Sequence, residues 1–435
     1  MNTNHNPAMF APGVPQLMRE FKSTNTELAT IVVSIYVLGF AAGPMALAPL
    51  SEMYGRVPIY HVCNVGFLIF NIACAVSSNL NMLIGFRFLA GVFGSAPLTN
   101  GGGTIADCIR QEKRGAAMAA FVIGPLLGPV IGPLAGGYLA EAKGWRWVFW
   151  VLSMLNGVFT VLSFVFMKET YGVTILDRKA KRVAKETGNP NIRSKLDLGL
   201  TPRELFWRNI VRPAKMLILS PIVSSMSIYV GIVYGYLYLL FTTFTGVFEG
   251  QYGFSTGTVG LTYLGLGIGS MIGLAIIGIS SDKIVKHKTK PNPDGSPGEM
   301  KPEYRLPPMT GTATLIPIGL FIYGWTAEYK IHYIVPIFGT MLIGIGNLAV
   351  FMCVSTYLID AFTIHAASVM AANTLVRSTL GAVLPLAGPK MYQTLGLGWG
   401  NSLLGFIGVA CLPIPFVLNR YGERLRKRYD MTGKI

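Results

Sequence analysis

Apolar positions along the chain fall into long, nearly uninterrupted runs rather than into the two- or three-in-seven stripes of soluble helices. A helix needs about 20 mostly apolar residues to cross ~30 Å of hydrocarbon. Runs of that length occupy 28–50, 59–78, 82–105, 119–140 and 146–167, and resume at 216–244, 258–280, 309–326, 333–357, 366–388 and 399–419. The pattern predicts an all-α, polytopic membrane protein with about eleven spans. Its expected parts are an N-terminal segment (1–27), a first helical bundle (28–167), a central polar stretch (168–215), a second bundle (216–419) and a basic tail (420–435).

Polar connections set the orientation. The stretch 168–215 carries Lys168, Arg178, Lys179, Lys181, Arg182, Lys185, Arg193, Lys195, Arg203, Arg208, Arg212 and Lys215; the stretch 281–308 and the tail are also basic. The alternate connections at 79–81, 245–257 and 389–398 are short and poor in base, with Lys143 and Arg146 a small exception. Lys and Arg collect in cytoplasmic loops, so the basic segments are expected inside. An odd number of spans is then expected to place the N-terminus outside and the C-terminus inside.

Composition agrees. Hydrophobic residues make up 51% of the 435 positions and charged residues 13%, about half the share of a soluble domain; the mean hydropathy is +0.50. The net charge of +16 would suggest nucleic acid in a soluble protein, but here it follows from basic inner loops. Cys63, Cys74, Cys108, Cys353 and Cys411 lie in or beside apolar runs without metal-ligand spacing, and His5, His61, His287, His332 and His365 are scattered. No metalloprotease, nucleophile-elbow or phosphate-loop motif occurs, so neither an enzyme nor a metal site is expected.

Four groups of residues stand out. Glu52, Gly55 and Arg56 share a tight connection between two spans, where Asp107 at an inner helix end could join them. Such charges either latch helices together or are ordinary loop charges. The segment Ser51–Glu52 has a counterpart in Ser281–Asp282, which suggests a parallel internal repeat of the kind found in transporters. The span 119–140 contains Gly128, Pro129, Gly132, Pro133, Gly136 and Gly137. Its prolines are expected to kink it, and its glycines to admit a neighbouring helix closely, as in a hinge or gate. Arg87 and Arg377 lie deep in apolar runs, where an arginine costs about 2.5–3.5 kcal/mol on insertion scales and should face a polar cavity or a partner. Tyr229, Tyr234, Tyr236 and Tyr238, with Asn373 near Arg377, either line a pocket for a partly apolar ligand or pack and face lipid.

These residues resemble those of a known family. The segments FAPGVPQLMREF, PLSEMYGRVPIY, RFLAGVFGSAPLTNGGGTIAD, GPVIGPLAGGYLAEAKGWRWVFW and VFEGQYGFS are similar to those of fungal major facilitator transporters in the twelve-helix drug:proton antiporter group. The resemblance implies that Glu52, Gly55, Arg56 and Asp107 form the gating loop motif, that Arg87 takes part in proton coupling, and that the Gly/Pro helix is the antiporter motif. It implies export of amphipathic drugs, toxins or secondary metabolites in exchange for protons by a plasma-membrane monomer, with the proton gradient as energy source and no cofactor. In relatives a helix precedes FAPGVPQ, so the first helix is expected to be missing here, and no carboxylate lies in the middle of a span. A nutrient symporter, or a transport-inactive, sensor-like product, is the alternative.

Overall fold

The structure is a computed structural model, and it describes residues 7–23, 25–109, 114–189, 192, 194, 202–289, 301–362 and 366–428. A 3-10 segment, Pro7–Gly13, leads into the short α1 (Val14–Glu20). The first half then holds α2 (Thr26–Tyr54), α3 (Arg56–Ala75), α4 (Leu80–Gly94), α5 (Ala96–Cys108), α6 (Arg114–Lys143) and α7 (Arg146–Phe166). Two helices, α8 (Gly172–Thr187) and α9 (Pro202–Leu219), occupy the basic central stretch. The second half holds α10 (Pro221–Tyr252), α11 (Thr256–Lys288), α12 (Pro307–Ala313), α13 (Leu315–Glu328), α14 (Ile334–Ala361), α15 (Ala366–Cys411) and α16 (Pro413–Arg428).

Among the described residues, nine helices are long and apolar enough to cross a membrane. One of these stretches, Ser368–Arg426, contains two crossings, because Gly396 at φ +72° and ψ 177° folds the chain back within α15. With α6, which spans 30 residues, the helices accommodate all of the expected crossings. Most helices run beyond the apolar runs. Their polar ends continue the backbone ladder into the interface, so the expected connections 245–257 and 389–398 are largely helical. The run 216–244 is divided differently: its first residues close α9, and Ser220 caps α10 by accepting from the Val223 amide at 3.4 Å, with Pro221 in the first turn.

The two halves repeat. In chain order α2, α3, α4–α5, α6 and α7 correspond to α11, α12–α13, α14 and the two limbs of α15, while α10 has no counterpart among the described helices before α2. The bundles meet along two seams, α2 against α15 and α6 against α11. Under the repeat each seam maps onto the other. This relation allows one bundle to pivot on the other with both seams changing in concert. Helix α9 packs against α2 and α15.

Within the second bundle, glycines bring backbones into contact. Gly265, Gly269 and Gly273 recur at i, i+4 and i+8 on α11 and face α14; a Cβ on Gly269 would stand 2.0 Å from the Met341 carbonyl oxygen, and one on Gly273 2.5 Å from that of Ile345. In lipid, where apolar burial gives no net drive for helices to associate, such close approach supplies the packing energy. Gly269→Leu must push the two helices apart, at about 1–3 kcal/mol or more for overpacking. A lower melting temperature in detergent and a reduced folded yield are the expected readings.

Candidate functional site

The centre of the molecule holds two buried arginines with no ion-pair partner among the described residues. Arg87 on α4 is 4% exposed. Its guanidinium carbon lies 4.9 Å from the Phe10 ring centroid, 5.5 Å from that of Tyr36 and 5.6 Å from that of Phe149. Arg377 on α15 is sandwiched between Tyr234 at 4.7 Å and Phe351 at 4.8 Å. Aromatic faces offset part of the cost of burying these cations, about 2 kcal/mol or more per desolvated contact. Hydrogen bonding is left incomplete: Nε and Nη2 of Arg87, Nε of Arg377, both amide atoms of Asn373 and Oγ of Ser378 have no partner.

The two arginines are linked across the seam. Tyr234 donates to the Tyr238 hydroxyl at 3.4 Å. Tyr238 lies within electrostatic reach of Tyr36 and Arg87 on one side and Arg377 on the other. The four expected tyrosines therefore do not form one group. Tyr234 and Tyr238, one turn apart, face the seam. Tyr229 and Tyr236 are seven residues apart on another face, rotated by about 160° at 3.6 residues per turn. Both are buried in the second bundle, Tyr236 donating to the Leu404 carbonyl at 3.0 Å.

At the end of the bundles next to the basic connections the repeat becomes chemical. Arg56 donates Nε to Asp107 at 3.4 Å and Nη1 to Ser51 Oγ at 2.8 Å; Arg305 donates Nε to Asp360 at 3.1 Å and Nη1 to Ser281 Oγ at 3.1 Å. Gly55, at φ +103°, makes the tight turn that delivers Arg56, and a Cβ there would stand 2.3 Å from Glu169 Oε2. That carboxylate accepts from the backbone amides of Arg56 at 3.0 Å and Val57 at 3.3 Å and so caps α3. Gly103, in the GGG run, leaves room for the guanidinium: a Cβ would meet Arg56 Nη2 at 2.8 Å. Glu52 is half-buried beside this cluster and within electrostatic reach of Tyr171. Arg305, Asp360, Glu169 and Gly103 were not singled out from sequence: Arg305 stands 24 residues after Ser281 where Arg56 stands 5 after Ser51, so the spacing of the repeat does not point to it. Because the clusters are twins, Asp107→Asn and Asp360→Asn should lower thermal stability in detergent by similar amounts, about 1–3 kcal/mol for an uncompensated partner. Clearly unequal shifts would show that the halves are not mechanically equivalent.

The Gly/Pro helix differs from expectation. α6 is continuous from Arg114 to Lys143 through its prolines. Gly128 and Pro129 lie in that helix, and the Pro129 side chain is outside the described residues. The groove at Gly132 and Gly136 admits the 3-10 segment and not a neighbouring helix. A Cβ on Gly136 would lie 1.9 Å from the Met9 carbonyl oxygen, and one on Gly132 3.3 Å from Met9 Cβ. The same segment sets Phe10 over Arg87. The adjacent face of α6 forms the seam: a Cβ on Gly137 would meet the Thr256 oxygen at 2.8 Å, and one on Gly260 the Pro133 oxygen at 2.7 Å. Glu141 completes this contact by accepting from the Gly257 amide at 2.6 Å and Ser255 Oγ at 3.2 Å. At Gly124, nearer the start of α6, a Cβ would meet nothing within 4 Å. The α6/α11 seam is thus closely packed at its Glu141 end.

A contact between α1 and the start of α7 accounts for Arg146. It pairs with Glu20, donates Nη2 to the Ser77 carbonyl at 2.9 Å and lies over Trp145, whose Nε1 donates to Glu20 at 2.7 Å. Partial burial pushes the Glu20 carboxyl up, but the hydrogen bonds from Arg146 and Trp145 and the charge of Arg146 outweigh it and hold the group below its ordinary range. A depressed carboxylate stabilises the fold above its unfolded pKa, about 4.3, and loses that contribution as pH falls through the lowered value. Acidification below about pH 4 should therefore lower the melting temperature more in the wild type than in Glu20→Gln. Glu20 is half exposed, so the difference should be under about 1 kcal/mol.

This arrangement has relatives. The chain is 63% identical over 423 residues to the MFS-type transporter tndD of Aspergillus flavipes, covering 97% of this chain and 79% of that protein. It is 60% identical to the MFS-type transporter penM of Penicillium rubens, over 96% of this chain and 82% of that protein. The efflux pump radE of Floropilus chiversii is 53% identical, over 98% of this chain and 79% of that protein. Among solved structures, a D-xylose-proton symporter superposes with a TM-score of 0.70 at 13% identity, over 95% of this chain and 94% of that one, a likeness of fold. The Major Facilitator Superfamily description matches residues 6–386. Two helical bundles that exchange seams under an internal repeat, matched over most of their length in this way, make the chain a multi-pass membrane transporter of the Major Facilitator Superfamily.

Proposed function

We propose that this transporter exports small amphipathic molecules from the cytoplasm in exchange for protons, by alternating access. The bundles 28–167 and 216–419 pivot about the seams, joined by the cytoplasmic stretch 168–215. The observation that carries the reading is the caged arginine pair: Arg87 lies among rings of the first half, Arg377 among rings of the second, and Tyr238 is within electrostatic reach of both, so a partly apolar solute there would meet polar donors. Outer closure at Gly137/Gly257 and the inner Arg56 and Arg305 clusters are the elements that release and re-form. The name of the relative radE supports the outward direction. Arg87 is the residue proposed for proton coupling, acting as a fixed positive charge because a guanidinium does not titrate in proteins. Monomeric function in the plasma membrane belongs to the same proposal.

The test is a host lacking its own pumps, loaded with fluorescent amphipaths. Expression of the chain should lower retention, and an uncoupler should restore it. Retention unchanged by expression, or export indifferent to the uncoupler, sinks the export or the proton-exchange reading respectively.

A further inference from the structure

Among the described residues the central site has no negative charge to offer a ligand. Described acidic side chains lie at helix ends or in connections: Glu20 and Glu141 on the outer side, Asp107, Glu169, Glu303, Asp360 and Glu423 at the cytoplasmic side, and Glu328 on the backbone amides of Leu397 and Gly398. Buried arginines in proteins are normally neutralised by a carboxylate. Here aromatic rings stand over the guanidiniums instead. Stacking uses the faces of a guanidinium and leaves its in-plane N–H groups, and these are the groups without partners.

For Arg87 the unpartnered atoms are Nε and Nη2, the pair along one edge that grips a carboxylate side-on with two parallel hydrogen bonds. Arg377 leaves Nε, and Asn373, one turn earlier and fully buried, leaves its amide. A neutral ligand would satisfy some of these donors and leave two positive charges uncompensated. A cationic ligand would add a third. Only an anion resolves the donors and the charge together.

Resting on the exporter reading, we propose that the transported solute is an organic anion: an aromatic or polycyclic body with an ionised carboxylate or equally acidic oxygen group. The anionic head takes the Nε/Nη2 edge of Arg87 or the Arg377–Asn373 donors. The apolar body lies among Tyr36, Tyr234 and Tyr238. The site discriminates against amphipathic cations by charge repulsion rather than by shape.

Two dyes on one xanthene skeleton provide the probe: fluorescein, an anion at neutral pH, and rhodamine 123, a cation. Fluorescence polarisation on the full chain in lipid nanodiscs should show fluorescein binding at least ~10-fold more tightly, the equivalent of one retained charge-assisted contact. Arg87→Gln and Arg377→Gln should each remove most of that preference by weakening fluorescein alone, and the corresponding Lys variants should keep part of it. Rhodamine binding as tight as fluorescein, equal loss of both dyes in the Gln variants, or binding of neither dye by the wild type overturns the proposal. The wild-type comparison decides even if the variants fold poorly. Export of both dyes measured in parallel separates the readings: rhodamine pumped and fluorescein retained defeats the anion class while the exporter reading stands.

Discussion

Replacing Arg87 with alanine should bring energised export to background, below about one-tenth of the wild-type rate, while the protein still reaches the membrane. Among the described residues the side chain makes no ion pair that holds helices together, and its neighbours are rings that can close partly over the gap. Loss of the guanidinium removes the fixed charge proposed for coupling and, on one edge, two charge-assisted donors of about 1.5–3 kcal/mol each. Arg87→Lys should recover little, because an ammonium offers no planar two-donor edge. Dye efflux normalised to membrane-inserted protein is the measurement. Efflux at the wild-type rate would remove Arg87 from the mechanism.

Gly136→Leu should be nearly as damaging from outside the charge network. Its new Cβ would coincide with the Met9 carbonyl, 1.9 Å away, and both partners are backbone. The 3-10 segment must leave the groove, and Phe10, 1% exposed between Arg87, Trp145 and Phe149, leaves with it. Expected results are strongly reduced export and new reactivity of a cysteine placed at Phe10 toward a membrane-impermeant maleimide. Gly124→Leu, on the same helix where a Cβ meets nothing within 4 Å, is the control and should export normally. Equal behaviour of the two variants would show that the segment's seat in the groove is immaterial. The pair also separates two meanings of a glycine-rich helix, flexibility and close contact, which sequence alone cannot distinguish.

Asn79 and Asn25 show how local chemistry set helix starts. Each accepts from amides of the following turn, Asn79 from Met82 at 2.8 Å and Asn25 from Glu27 at 2.9 Å, and an Asx side chain before an apolar run is a signal readable from composition. The Ser220–Pro221 start of α10 was missed because the apolar run passes over it without a break. The polar stretch 389–398 points to a longer loop than the Gly396 fold needs for a related reason: a single residue at positive φ suffices where the helices on both sides continue into the interface.

Sequence by itself determined the spans, the repeat and the presence of costly arginines, because each follows from the free energy of placing particular residue types in hydrocarbon. Only the tertiary structure decided who meets whom. It put Tyr234 and Tyr238 toward the seam and Tyr229 and Tyr236 away from it, matched Arg305 with Asp360 as Arg56 with Asp107, and filled the Gly132/Gly136 groove with Met9 and not with a helix. Hydrophobicity is a property of one residue in its solvent, whereas a contact depends on the relative rotation and depth of two elements, which interlocking side chains fix only once the bundles are assembled.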